Sequence, residues 1–203
     1  MNFPDVLKKR RAVREYTQAA IERPEIEALI NAAIEAPSAM NLQPWAFAVV
    51  LGQERIDSYA KCALDSLLAN LSQLPDLDMR HRLEQRMRED PNFSLFYHAP
   101  ALGLVLAKSS EAQAVQDCCL AAENLMLAAR DRGLGTCWIG FARPWLNLPE
   151  TKAELGLPQQ YQVVAPIVLG HPVAWPESHG RKPAEIYWIL PAQAQQRPAA
   201  MAV

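Results

Sequence analysis

Arg10, Arg11 and Arg14 pack three guanidinium groups into five residues. Each guanidinium is a rigid fork of donors that matches phosphate in bidentate fashion, and three are costly to crowd without an anion. In an extended chain Arg10 and Arg14 lie on one side and Arg11 on the other, so two of the three can face one ligand. The second unusual stretch runs Ala36-Pro37-Ser38-Ala39-Met40-Asn41-Leu42-Gln43-Pro44-Trp45. It reads as a helix exit in which Ser38, Asn41 and Gln43 offer hydrogen-bonding groups, before Pro44 and Trp45 fix the entry to a strand. The arginine cluster alone also suits a solvated basic N-terminus. With the polar stretch added, a bound planar anion is the better reading.

Other chemistry is harder to find. Nothing in the sequence pairs His98, His171 or His179 with a carboxylate, which suits structural or solvated roles; His179, two residues before Arg181, would add to an anion site when protonated. Cys62, Cys118, Cys119 and Cys137 show no metal-site spacing, and Cys137 reads as a buried thiol without a basic neighbour, hence inert. Trp138 and Trp145 suit core packing better than stacking on a ligand ring. No paired carboxylates and no nucleophile–base set emerge. No catalytic side chain is therefore assigned, and no metal is expected.

The elements that must position these groups follow from periodicity. Residues 3–9 read as a short helix with Asn2 as its cap, and 10–14 as an extended connection. A helix begins at Pro24 and carries Ile26, Leu29, Ile30, Ala33 and Ile34 on one face; it must stop before Pro37. Trp45–Leu51 and Ala101–Ala107 are apolar runs of buried-strand type. Residues 53–71 form an amphipathic helix, and Glu111–Arg132 a longer one closed by Gly133 as a left-handed cap. Residues 76–90 are heavily charged, with Leu77, Leu83 and Met87 inward. A solvated surface helix is the simpler reading of that segment, a cover over a site the other. Cys137-Trp138-Ile139 is a short apolar run before Gly140, and Pro149 starts a brief helix ending near Gly156. Gln162–Leu169 is a third strand whose Pro166 argues for an edge or a bulge, and Ile186–Leu190 is a last apolar run. The sum is an α+β fold, a small central sheet packed by long helices. Residues 1–190 form a single domain, and 191–203 a tail that is loose or wraps a partner.

Composition sets the outer bounds. A chain of 203 residues, half apolar, a fifth charged and with a net charge of −2 suits one globular domain. It carries no footprint for nucleic acid or an anionic membrane. No run approaches the roughly 20 apolar residues of a membrane span, and residues 1–14 lack the apolar stretch of a signal peptide. A reduced, cytoplasmic protein is expected.

The spacing R-R-x-V-R followed by A-P-S-x-x-N-x-Q-P-W resembles the nitroreductase family of flavin enzymes. Asp117–Phe141 (D-C-C-L-A-A-E-N-L-M-L-A-A-R-D-R-G-L-G-T-C-W-I-G-F) resembles that family's long helix and the glycine turn after it. V-L-G-H-P at 168–172, with Arg181 beyond, extends the likeness over residues 4–190. The resemblance implies a nitroreductase-like fold with a mixed or antiparallel sheet, an intertwined homodimer with shared sites, and bound FMN. It implies that Arg10, Arg11 and Arg14 hold the phosphate, ribityl chain and pyrimidine edge, with Ala12 contributing its backbone and Arg181 completing the phosphate clamp. Pro37, Ser38, Ala39, Met40 and Asn41 would come from the second subunit, with Gln43 in the same cofactor-binding stretch. Backbone groups of Ile139 and Gly140 would approach the flavin N5 and O4 edge, where a side chain would obstruct contact.

The activity implied is hydride transfer from NADH or NADPH through FMN to an electron-poor acceptor such as a nitroaromatic, quinone or enone. Alternatives within the fold are dehalogenation and flavin fragmentation. A flavin-storage protein with little turnover is a third reading. Ile139 stands where one branch of the family has an acidic residue, and no lysine after the first strand matches the one some members place near flavin N1.

Overall fold

The computed structural model describes residues 1–73 and 77–189. Helix α1 (Phe3–Lys9) is capped by Asn2, whose side chain accepts from the Asp5 backbone N–H at 2.9 Å. Asp5 in its first turn and Lys8 and Lys9 in its last complement the helix dipole. Helix α2 (Arg23–Ala33) opens on Pro24 with a capping box between Glu22 and Glu25, and buries Ile26, Leu29 and Ala33. In chain order there follow β1 (Trp45–Leu51), α3 (Gln53–Ala69), α4 (Leu77–Glu89), β2 (Ala101–Ala107) and α5 (Ala112–Asp131). The chain continues through β3 (Gly135–Trp138), α6 (Arg143–Leu146), α7 (Pro149–Glu154) and β4 (Gln162–Gly170).

The four strands form one sheet in the order β1-β2-β4-β3, every pairing antiparallel. Side chains of the fully buried β2 alternate between two cores, as the two-residue strand period requires. Leu102, Leu104 and Leu106 join the core beneath α3 and α6, whereas Ala101, Val105 and Ala107 face α2 and α5. The sheet is therefore a middle layer between helices. Its α5 face is lined by small residues (Ala114, Cys118, Ala121, Ala122, Ala129), which let the helix lie close to the strands.

Of the two readings of Pro166, an edge or a bulge, the bulge is the one the structure bears out. Strand β4 is interior, between β2 and β3, so Pro166 does not mark an edge. A bulge is present instead: the β2–β4 register slips between Val105 and Leu106, and Val164 and Ala165 both point into the α2–α5 core. The Pro166 carbonyl accepts from Ile139 just past the end of β3, so the missing N–H on that side has no strand partner to lose. One expectation is corrected: Leu77 is 59% exposed rather than inward, while Leu83 and Met87 do pack against the core beneath α3. Ile186–Ile189, the described part of the last apolar run, stand exposed, while Leu190 and the 191–203 tail lie outside the described residues. Among the described residues no helix is long and apolar enough to cross a membrane.

Candidate functional site

Residues 10–14 lie along the free edge of β3. Ala12 bridges Thr136 in parallel, and the Val13 N–H donates to the Thr136 carbonyl at 2.9 Å. Val13 is fully buried because the chain approaches β3 over Gly135, where a Cβ would fall 2.8 Å from the Val13 side chain. This anchoring fixes direction: Arg10 lies by Glu123 midway along α5, Arg11 by Arg130 at its C-terminal end, and Arg14 near Cys137. Four residue steps of about 3.3 Å separate Arg10 from Arg14 by about 13 Å.

At the upstream end lies a cleft of about 670 Å³, whose lining includes Lys8, Lys9, Arg11, Arg130, Trp175 and Arg181. No carboxylate is among the described residues that line it. Arg130 stacks on Trp175 with its guanidinium carbon 3.4 Å from the ring centroid. Burial, then the neighbouring Arg11 charge, pushes the Arg130 pKa down. The Nε atoms of Arg11 and Arg130 are buried without a hydrogen-bond partner. Crowded guanidiniums with orphaned donors are what a phosphate would satisfy. Arg10 does not face them as a free cation; its Nε lies 3.4 Å from Glu123 on α5.

At the downstream end Arg14 lies over the Tyr97 ring, 5.9 Å from its centroid, and near Cys137 and Tyr16. Cys137 therefore does have a basic neighbour, contrary to the expectation from sequence. Burial still outweighs the Arg14 and Arg86 charges and holds its thiol pKa above the ordinary value. Ile139 and Gly140 follow directly, and a Cβ at Gly140 would meet nothing within 4 Å. Packing within the chain thus does not demand this glycine, and its backbone is open to approach.

The Ala36–Trp45 stretch is built as a tight, strained turn. A single 3-10 turn spans Ala39–Asn41, and Met40, Asn41 and Gln43 have φ of 51°, 55° and 47°. Ser38 Oγ accepts from the Gln43 N–H at 3.0 Å, Asn41 Oδ1 accepts from Gln43 Nε2 at 3.0 Å, and the Ala39 N–H donates to Asp117 Oδ2 at 3.2 Å. Asp117 is buried on α5, and its other oxygen accepts from Gln113 Nε2. Met40 is 92% exposed, so the tip projects away from its own chain. Within one chain no hydrogen bond, ion pair or cleft among the described residues joins Pro37–Gln43 to Arg10–Arg14.

The structure thus brings Arg11 and Arg181 to one cleft, sets Arg14 near Cys137, two residues before the Ile139–Gly140 turn, and leaves Pro37, Ser38, Ala39, Met40, Asn41 and Gln43 apart. A model of the nitroreductase family matches residues 7–171.

The chain belongs to the nitroreductase family.

Among curated nitroreductase relatives, a putative NADH dehydrogenase/NAD(P)H nitroreductase of Archaeoglobus fulgidus is 30% identical over 164 residues, covering 80% of this chain and 81% of the relative. An iodotyrosine deiodinase of Thermotoga neapolitana is 27% identical, covering 83% and 87%. A nitroreductase of Desulfitobacterium hafniense solved with bound FMN superposes with a TM-score of 0.77 at 26% identity, over 94% of this chain and all of that one. The nitroreductase fold is thereby shown for this chain, and it is a fold on which FMN is held.

Several site residues escaped the sequence. Arg130 and Trp175 carry no local motif, and their stacking depends on the fold. Asp117 did leave a signal, since it falls on the same helical face as Ala114, Cys118, Ala121 and Leu125. His98 was read as unpaired, yet its Nδ1 lies 3.0 Å from Asp57 Oδ1 and its Nε2 3.1 Å from the Asn92 carbonyl, tying the chain before β2 to α3.

Proposed function

We propose that this chain binds FMN along residues 10–14 and passes hydride from NADH or NADPH to an electron-poor acceptor such as a nitroaromatic, quinone or enone, as a cytoplasmic homodimer with shared sites. The observation that carries the reading is the Ala12–Thr136 bridge. It lays the basic cleft lined by Arg11 and the Arg14–Tyr97 pair toward opposite ends of one segment. A ligand with a phosphate at one end and a planar ring at the other suits that arrangement.

FMN, when bound, supplies the two-electron redox chemistry, and the protein supplies placement and electrostatics. Arg11, Arg181 and Arg130 hold the phosphate, and Lys8 and Lys9 add positive potential. Arg10 steers the segment through Glu123, and Ala12 offers only its backbone. Arg14 sets a fixed positive charge beside the pyrimidine edge, where negative charge builds on reduction. Ile139 and Gly140 present backbone groups to the ring edge. Pro37, Ser38, Ala39, Met40, Asn41 and Gln43 reach the site from the second protomer, which accounts for a strained, outward-pointing turn whose tip has no contact at home. The charged groups that line the cleft are guanidiniums and lysine ammoniums, so the protein would contribute positive potential there and no carboxylic acid.

The test is direct. The purified protein is expected to be yellow and to bleach within seconds under anaerobic NADH or NADPH. A yellow protein bleached by neither nucleotide would be a flavin binder, and a colourless one that cannot be reconstituted with FMN would remove the reading. A panel of nitroaromatic, quinone and halogenated phenol acceptors separates the reductase from the dehalogenating and flavin-fragmenting alternatives.

A further inference from the structure

The charged helix α4 is more than a solvated face, because one of its cations reaches the downstream end of the site. Arg86 donates from Nη1 to the Tyr97 hydroxyl at 3.2 Å, and its guanidinium carbon lies 5.3 Å from the Tyr97 centroid. Arg14 lies over the same ring at 5.9 Å. Two guanidiniums thus converge on one phenol beside Cys137, and the charges of both are felt by its thiol. Neither makes an ion pair among the described residues. The carboxylates next along the chain, Glu89 and Asp90, accept from Gln85 Nε2 and the Asn92 N–H, and neither pairs with Arg86.

The backbone that presents Tyr97 is strained. Tyr97 and His98 have φ of 54° and 50°, each a conformation costing about 1 kcal/mol or more for a residue with a side chain. The strain is held in place by the His98–Asp57 pair, the His98–Asn92 contact and the Tyr97 N–H to the Ser94 carbonyl at 3.0 Å. Arg86 is further flanked by Phe93 at 5.7 Å. An aromatic-walled cation, held beside a second one and lacking a counter-ion, is built for an anion that comes from outside.

We infer that Arg86, seated on Tyr97, recognises an acidic substituent of the electron acceptor, so that the preferred acceptors are electron-poor aromatics bearing a carboxylate. The inference rests on reading Arg14, Ile139 and Gly140 as the ring end of the site. Arg14 is committed there to the cofactor, and Arg86 is the cation left for the acceptor. Its fork suits a carboxylate, whereas a lysine in its place would keep the charge and lose the bidentate geometry.

The experiment is calorimetric titration of the FMN-loaded full chain with benzoate and with benzamide, its neutral counterpart. Wild-type protein should bind benzoate at least 10-fold more tightly than benzamide. R86Q should weaken benzoate at least 10-fold and change benzamide less than twofold, with R86K intermediate. Equal losses for the two ligands in R86Q, or no preference for benzoate in the wild type, would overturn the inference. A yellow, NAD(P)H-bleached protein without that preference loses this inference alone. A colourless protein removes the reductase reading instead, and the same two titrations on it still decide whether Arg86 selects charge.

Discussion

Val13 and Gly135 touch where no second side chain would fit: a Cβ on Gly135 would stand 2.8 Å from Val13 Cβ. This contact seats residues 10–14 on the β3 edge and so sets where three arginines point. G135A should therefore act on the site as well as on the fold. Overpacking of this kind costs about 1–3 kcal/mol, read as a lower urea midpoint at unchanged slope. The same variant should purify with markedly less flavin, because lifting Val13 moves Arg11 and Arg14 together. Full flavin content at reduced stability would mean that the strip is positioned by something other than β3.

The upstream cleft makes a sharper distinction, between the phosphate and the rest of the cofactor. Arg11 and Arg181 line it, whereas Arg14 stands at the far end. A hydrogen bond to a charged group is worth about 1.5–3 kcal/mol, so R11A or R181A should weaken FMN by about 10- to 100-fold. Riboflavin, which lacks the phosphate, should lose almost nothing. Fluorescence titration of the apoprotein with both ligands measures this. R10A should show a smaller loss than R11A, since Arg10 already spends its charge on Glu123.

How much of this was legible beforehand follows from range along the chain. Strands Trp45–Leu51 and Ala101–Ala107 announce themselves by unbroken apolar runs, and α1 and α2 by caps and prolines, all signals within a few residues. Thr136 was missed as a strand residue because its pairing to Leu169 and its bridge to Ala12 are both long-range. Pro166 left an edge and a bulge equally open, because only the long-range pairing decides between them: β4 is interior, and its register with β2 slips between Val105 and Leu106. At the site, arginine crowding at 10–14 was visible in the sequence. The partners that give each arginine its task (Glu123, Arg130, Trp175 and Tyr97) lie far along the chain and meet only in three dimensions.

The buried thiols should limit stability in base. Burial pushes the Cys118 thiol up to about 12 from an ordinary value of 9.0, and the sulfur donates to the Leu106 carbonyl at 3.4 Å. A thiol harder to ionise in the fold than in the unfolded chain favours folding fully below the unfolded value. That contribution then declines as pH climbs from 9 toward the folded value, because the unfolded state releases its proton first. The urea midpoint of the wild type should fall between pH 8.5 and 10.5. C118A, with no proton to release at that position, should fall less steeply over the same interval. Parallel slopes for the two proteins would assign the alkaline loss to other groups, of which Tyr16, its phenol also pushed up by burial, is the first to examine.

The strained turn at Met40–Gln43 carries the last prediction. Ala39 is tied to Asp117 on its own α5, yet Met40 is 92% exposed, and among the described residues no hydrogen bond or ion pair joins the turn to Arg14 of the same chain. If each site takes Arg14 from one protomer and Asn41 from the other, R14A and N41A homodimers each carry two defective sites. A mixed dimer then pools both lesions in one site and leaves the other intact. Subunit exchange between the two inactive proteins should approach half of the exchanged dimers, each with one working site, so about a quarter of wild-type activity should return. No recovery, despite exchange verified by mass-tagged chains, would place both residues in a site made by a single chain.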